Sequence, residues 1–484
     1  MIENKQIKQN KSLVFIIAAI AATGGLLFGF DTGVISGAIP FFQKAFGIDD
    51  SWIEIITTAG LVGAVIGAMS SGRITDIVGR KKIILAAAVI FIIGAIWSGA
   101  ASGPVMLVCA RFFLGIAIGV SSFAVPLYIA EISPAKSRGT LVSMFQLLIT
   151  IGIMVSYLSD SAFAVPDNHP DFNSCWRPMF YVGVIPALIM FIGMIFLPET
   201  PRWLISKGME NKCRDVLQKV EEPLLVEEAI ERMKSDIEAD KVNRVNWTEV
   251  FKKWLRAPLI IAVGIMFVQQ FTGINTIIYY SPKIFLMSGF ADAQAAVWAS
   301  VSVGIVNVVF TILSLFMIDK LGRRKLYFTG VTGLVIALTA MGICFALQAT
   351  LGDSIKWVTI SLMWIYIGFF AISIGPLGWL IISEVFPLSV RGTGSSIGAL
   401  SNWLFNGIVA FTFFKLVKGL TMPGTSIVLN GEDLGNPAGA FFLYAIVGIA
   451  SLVWGYFFIP ETKNVTLEKI EEHWRKGARP KDLK

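Results

Sequence analysis

Twelve apolar runs divide this chain from end to end, near residues 13–38, 52–71, 83–102, 105–127, 140–160, 178–197, 257–280, 293–317, 326–347, 357–380, 392–416 and 438–459. Each is close to the ~20 residues that a helix needs to cross a hydrocarbon layer. Backbone in hydrocarbon must satisfy its own N–H and C=O groups, so such runs cross as helices. The expected fold class is an all-α membrane protein with twelve transmembrane helices. Only 15% of the 484 residues are charged, against about 25% in a soluble domain. The first run is too long for a cleaved signal peptide and has no small-residue cleavage site.

Lys and Arg set the orientation. With both termini in the cytosol, inward segments hold 33 Lys/Arg against 22 Asp/Glu, and outward segments 6 against 10. With residues at the run ends counted to the segments beside them, the membrane interior then keeps one acid, Asp31, and one base, Arg111. The net charge of +7 is thus a topology signal. A nucleic-acid partner would need a basic face on a folded domain, and none is visible. The four cysteines and two histidines have neither disulfide nor metal spacing. No nucleophile–base constellation is evident, so neither an enzyme nor a cofactor is expected.

The chain repeats itself. DIVGRKK at Asp76–Lys82 recurs as DKLGRRK at Asp319–Lys325, EISPAKSRGT at Glu131–Thr140 as EVFPLSVRGT at Glu384–Thr393, and PETPR from Pro198 as PETKN from Pro460. GFDT at Gly29–Thr32 likewise matches GINT at Gly273–Thr276, so Asp31 stands where the other half has Asn275. Two six-span halves are expected at 13–197 and 257–459, with tails at 1–12 and 460–484. Repeated halves that rock about a shared site are a recurring transporter plan. The segment 198–256 reads as amphipathic helices: either a charged linker or a plate under an inner gate.

These pieces together resemble the sugar porters of the major facilitator superfamily. The motifs GGLLFGFDTGVISG, DIVGRKK, PLYIAEISPAKSRG, PETPRWL, QQFTGIN, DKLGRRK, GPLGWLIISEVFP, VRGT, SNWL and PETK run in order along nearly the whole chain. The resemblance implies a six-plus-six helix fold with alternating access. It implies carriage of a monosaccharide or related polyol, by proton symport or by facilitated diffusion, with no obligate protein partner. Tails of about 12 and 24 residues are short for a sugar sensor, and with the compact loops they point to a bacterial cell membrane.

A sugar offers hydroxyls that donate and accept, and apolar C–H faces. Carboxamides and flat rings suit both. Span 7 carries Gln269, Gln270 and Asn275, with Tyr279 on the face of Asn275. Unwinding near Gly273 would bring Gln269 and Asn275 together, and in span 10 Pro376 and two glycines can break the helix ahead of Trp379. Gln146, Asn307 and Asn402 are further amides inside spans, and Phe28, Trp379 and Trp403 are candidate rings. Each has a plainer reading as helix glue or packing. The resemblance implies sugar contact at Gln146, Gln269, Gln270, Asn275, Trp379 and Asn402, with Trp403 beside the site. The pair Asn402–Trp403 tilts the expectation toward a hexose such as glucose or galactose, with a pentose or inositol as alternatives.

Asp31 needs a cation or a proton, since an ionised carboxylate in hydrocarbon costs about 2.5–3.5 kcal/mol even on insertion scales. Counting ~1.5 Å per residue puts Asp31 and Arg111 both roughly 10 Å below the outer surface, where they can meet. They form either a static ion pair or a proton carrier. The arginine favours the carboxylate; separation and desolvation favour the acid. The resemblance implies the second. Six further residues lie at cytosolic span ends: Arg80, Glu131 and Arg138, with equivalents Arg323, Glu384 and Arg391. With Asp76 and Asp319 they are read either as anchors and caps or as ion-pair clusters that shut the cytosolic side and break on inward opening.

Overall fold

The computed structural model describes residues 11–134, 137–221, 223–242, 247–387, 390–429, 432–463 and 465–483. Among these residues twelve helical passages are long and apolar enough to cross a membrane. The first half comprises α1 (Lys11–Phe46), α2 (Asp50–Val78), α3 (Arg80–Gly99), α4 (Pro104–Ile132), α5 (Arg138–Phe163) and the pair α6 (Trp176–Val182) and α7 (Val184–Phe196). Three short helices follow: α8 (Pro201–Ser206), α9 (Glu210–Val220) and α10 (Val226–Val242). The second half opens with the pair α11 (Arg256–Phe271) and α12 (Ile274–Met287), then α13 (Ala293–Leu321) and α14 (Arg323–Ala346). It continues through α15 (Gln348–Leu351), the pair α16 (Ile355–Ile372) and α17 (Ile374–Val385), α18 (Arg391–Gly419) and α19 (Ala438–Phe458). An even number of passages leaves both described ends on one side, called the terminal side below.

Several helices overrun the apolar runs: α1 reaches Phe46 and α2 reaches Val78. Hydropathy marks the hydrocarbon layer, whereas a helix runs until something caps it. Asp49 caps α2 by accepting from the Trp52 N–H at 3.2 Å, and Asp292 caps α13 from the Ala295 N–H at 2.8 Å. Outside the all-helical expectation, Val428–Leu429 (β1) pairs antiparallel with Glu432–Asp433 (β2) in the loop before α19. The tail helix α20 (Leu467–Arg475) docks on the terminal side, where Trp474 Nε1 donates to the Val385 carbonyl at 2.9 Å.

Glycine spacing fixes the first half. Gly25, Gly29, Gly33 and Gly37 recur every four residues, which puts them on one face of α1. That face lies on α5: a Cβ at Gly25 would strike the Phe145 carbonyl, at Gly29 the Ile149 carbonyl, and at Gly33 and Gly37 the side chains of Ser156 and Asp160. Lipid tails are as apolar as leucine, so close backbone approach drives such packing. α2 and α4 meet in the same way through Gly60, Gly63, Gly67, Gly115 and Gly119.

The halves meet where α1 faces α12, α2 faces α18 and α5 faces α13. Ties between them sit toward the side opposite the termini. Ser36 and Ser281 share a hydroxyl contact at 3.4 Å, Tyr157 Oη donates to the Ile278 carbonyl at 2.7 Å, and Gln294 Nε2 donates to the Ala164 carbonyl at 2.7 Å. Ion pairs join Lys283 to Asp50 and Lys415 to Glu54. This corrects the charge map drawn from the sequence. Asp50, Glu54, Asp160 and Lys283 are buried, so Asp31 and Arg111 are not alone in the interior.

Candidate functional site

Asp31 on α1 and Arg111 on α4 meet. Nη1 of Arg111 donates to one carboxylate oxygen of Asp31, and Nη2 donates to the other at 2.9 Å. The residues are 4% and 3% exposed. This bidentate geometry is the strongest that a carboxylate and a guanidinium form. The pair borders the seam between the halves: Phe28, Thr32, Thr57 and Gly60 stand around it with Tyr279 and Trp403 of the second half. Together they line a void of about 10 Å³, enough for one water.

The candidate amides form a chain. Asn275 Nδ2 donates to Gln270 Oε1 at 2.6 Å, and Gln270 Nε2 donates to Gln269 Oε1 at 3.3 Å. Asn402 Nδ2 donates to that same Gln269 oxygen at 2.5 Å. Gln269 Nε2 donates to the carbonyls of Ile374 and Gly375, each at 2.9 Å. Two helix breaks make this possible. Gly273, at φ +90°, separates α11 from α12 and turns Asn275 back toward Gln270. Ser373 separates α16 from α17 and sets the first-turn carbonyls of Ile374 and Gly375 against Gln269. The sequence placed this second break at Pro376. The proline instead lies in the first turn of α17, where its missing N–H costs nothing.

The rings and remaining amides are spread more widely. Phe28 packs on Trp403 across the seam, with ring centroids 5.1 Å apart. Trp379 is 38% exposed, and Gln146 is half-buried on α5. Asn307 is buried on α13 and makes no hydrogen bond to the amide chain. One residue escaped the sequence reading. Asn406 is buried, donates to Tyr279 Oη at 3.3 Å and leaves its own Oδ1 without a partner. It lies four residues beyond Asn402, so the helical period was the available signal.

On the terminal side the repeats form twin clusters. Arg80 donates to Glu131 at 3.1 Å and pairs with Asp76 at 3.0 Å, while the Thr200 hydroxyl donates to Glu131 at 2.6 Å. Arg323 donates to Glu384 at 2.8 Å, and the Thr462 hydroxyl donates to Glu384 at 2.5 Å. Glu199 accepts from the main-chain N–H groups of Arg80 and Lys81, and Glu461 from those of Arg323 and Arg324. Each acid caps the N-terminus of a helix, α3 or α14. Burial pushes the Glu199 carboxyl up, against the N–H groups and Arg80 that favour its charge. Arg138 is exposed, and Arg391 is half-buried with Nε and Nη2 unpartnered. The side chain of Asp319 lies outside the described residues. Arg80, Glu131 and Asp76 form one cluster, and Arg323 and Glu384 form the other. Each joins elements of a single half together with the segment that follows it. Both are intact while the halves are tied on the opposite side.

A family model for sugar (and other) transporters matches residues 17–474. The chain belongs to the sugar porter family of the major facilitator superfamily. It is 35% identical over 483 residues to the galactose-proton symporter of Escherichia coli K12, covering 99% of this chain and 98% of that one. It is 35% identical over 475 residues to the glucose transporter GlcP of Staphylococcus epidermidis, covering 98% and 99%. Among solved structures, the proton:xylose symporter XylE bound to 6-bromo-6-deoxy-D-glucose superimposes with a TM-score of 0.78 at 30% identity, covering 96% of this chain and 100% of that one. This sugar porter is a multi-pass membrane protein.

Proposed function

We propose that this sugar porter is a secondary active transporter that imports a monosaccharide together with a proton. One observation carries the coupling: a carboxylate–guanidinium pair buried beside the seam on which the two halves must move. In the conformation described, Arg111 holds both oxygens of Asp31. When the halves part on the outer side, water and protons reach this pair. A proton on Asp31 ends its ion pair with Arg111 and leaves only one oxygen as a good acceptor. The neutral acid can then travel through the closed state at lower cost than an unpaired charge. Opening on the inner side returns the proton and restores the pair.

Sugar hydroxyls would exchange with the amide chain. Gln269, Gln270, Asn275 and Asn402 already satisfy one another, so a ligand replaces amide–amide bonds rather than stripping bare polar groups. Gln146 from the first half and Trp379 supply a further amide and an apolar face. Galactose and glucose are the first substrates to test, because two relatives carry the names of those sugars. Both termini are assigned to the cytosol by the Lys/Arg bias, so the ties between the halves are extracellular and this conformation faces inward. The protein acts alone, and Arg80, Glu131, Arg323 and Glu384 brace each half as it moves.

A uniporter is the second reading, because the bidentate Asp31–Arg111 geometry also suits a permanent brace. Labelled galactose or glucose in vesicles under an imposed proton gradient separates the two. Accumulation above the external concentration supports symport, and equilibration that stops at parity supports the brace.

A further inference from the structure

Five charged side chains that the transport reading does not use lie together at the outer end of the seam. Asp50 and Glu54 come from α2 in the first half, Lys283 from α12 and Lys415 and Lys418 from α18 in the second. Lys283 Nζ stands 3.0 Å from Asp50 Oδ1, and Lys418 Nζ 2.9 Å from Asp50 Oδ2. Lys415 Nζ stands 2.5 Å from Glu54 Oε2, and Glu54 Oε1 accepts from the main-chain N–H of Phe414 at 2.9 Å. Every one of these bonds crosses from one half to the other. Asp50, Glu54 and Lys283 are buried, whereas Lys415 and Lys418 keep half their side chains in contact with solvent.

The cluster sits directly over the Asp31 site. Glu54 precedes Thr57 by three residues on one face of α2, and Lys283 lies four residues beyond Tyr279 across the kink at Tyr280 in α12, so each is carried on the element that supplies a wall of that site. We propose that this cluster is the outer lock of the transport cycle, and that its release withdraws Thr57 and Tyr279 together and admits outside water to Asp31. The proposal deepens the alternating-access reading and rests on it. The chemistry suits a reversible lock. A buried charge is held only while its partner is present, and loss of one partner leaves the other stranded. Water reaching the half-exposed lysines offers the alternative partner once the halves part. Lys283 is the central positioning residue, because it reaches across from α12 to a carboxylate that Lys418 also holds.

The test reads accessibility and needs neither sugar nor a gradient. Ser36 is fully buried against Ser281 at the seam. In full-length protein with Cys109, Cys175, Cys213 and Cys344 changed to serine, Ser36→Cys reacts with a membrane-impermeant maleimide only when the outer side opens. Lys283→Met is expected to raise that rate by about tenfold or more, and Lys283→Arg to return it close to the parent value. Lys415→Met, at the half-exposed rim, serves as the second variant and covers the case in which Lys283→Met does not fold. Parent-like labelling in folded Lys283→Met overturns the proposal, as does parent-like labelling in Lys415→Met when that variant alone folds. A protein that labels as expected yet never accumulates sugar refutes symport and leaves the lock standing.

Discussion

Asp31→Asn separates coupling from transport. The substitution keeps the shape of the side chain and removes its titrating oxygen. Asp31, paired with Arg111 at the seam, is the acid to which the proposed coupling assigns the proton. If one proton moves with each sugar, each cycle carries one positive charge inward. A charge crossing 100 mV gains about 2.3 kcal/mol, and 1.36 kcal/mol is a factor of ten. A membrane potential of about 100 mV, interior negative, should then sustain roughly 50-fold accumulation in the parent protein. The variant should stop at parity while still exchanging labelled for unlabelled sugar. Removal of one member of a buried pair also costs about 3–5 kcal/mol of stability, because Arg111 is left unpaired. Asp31→Asn combined with Arg111→Gln controls for this: it should recover stability without recovering accumulation. The assay is uptake of labelled galactose or glucose into proteoliposomes carrying a potassium diffusion potential set with valinomycin. Accumulation above parity by folded Asp31→Asn refutes the reasoning.

Three further outcomes follow from the packing. Gln269→Ala removes the group to which Gln270, Asn402 and two α17 carbonyls all bond; it should weaken sugar binding by about tenfold or more, read by equilibrium binding or by the KM for exchange. Gly29→Leu places a side chain against the Ile149 carbonyl, and the expected result is loss of folded protein in fluorescence-detected size-exclusion chromatography, whereas Gly139→Ala, in open space at the terminal end of α5, should be neutral. Glu384→Gln loses the charge that holds Arg323 and receives Thr462; thermal unfolding should fall by about 1–3 kcal/mol, with sugar affinity unchanged in the same preparation.

The sequence discloses what lipid enforces and conceals what the seam enforces. Each span must be long and apolar, so all twelve are legible as runs, and the glycine ladder of α1 is legible as a period of four. The meeting of Asp31 with Arg111 follows from counting residues inward from span ends. Helix ends are less legible, because Asp49 and Asp292 act as caps outside the hydrocarbon that hydropathy reports. The lock was hidden for a related reason. Asp50, Glu54, Lys283, Lys415 and Lys418 lie near the ends of apolar runs, where charges normally face water. Only the contact of α2 with α12 and α18 buries the two acids and Lys283, and nothing local encodes that contact. Asn406 was missed among the apolar residues of α18, although the period from Asn402 pointed to it. The break of span 10 was displaced for a simple steric reason: proline is tolerated within a first helical turn and marks where a helix starts as often as where one stops.

Proton movement with sugar is the central claim, and external pH tests it most directly. Cells producing the protein are de-energised in a lightly buffered suspension, and glucose, galactose, xylose, arabinose or inositol is added in turn. The account predicts a transient alkaline shift with at least one of these sugars, absent in Asp31→Asn cells. Entry of labelled sugar to parity with no pH change would contradict it and return the Asp31–Arg111 pair to a purely structural role.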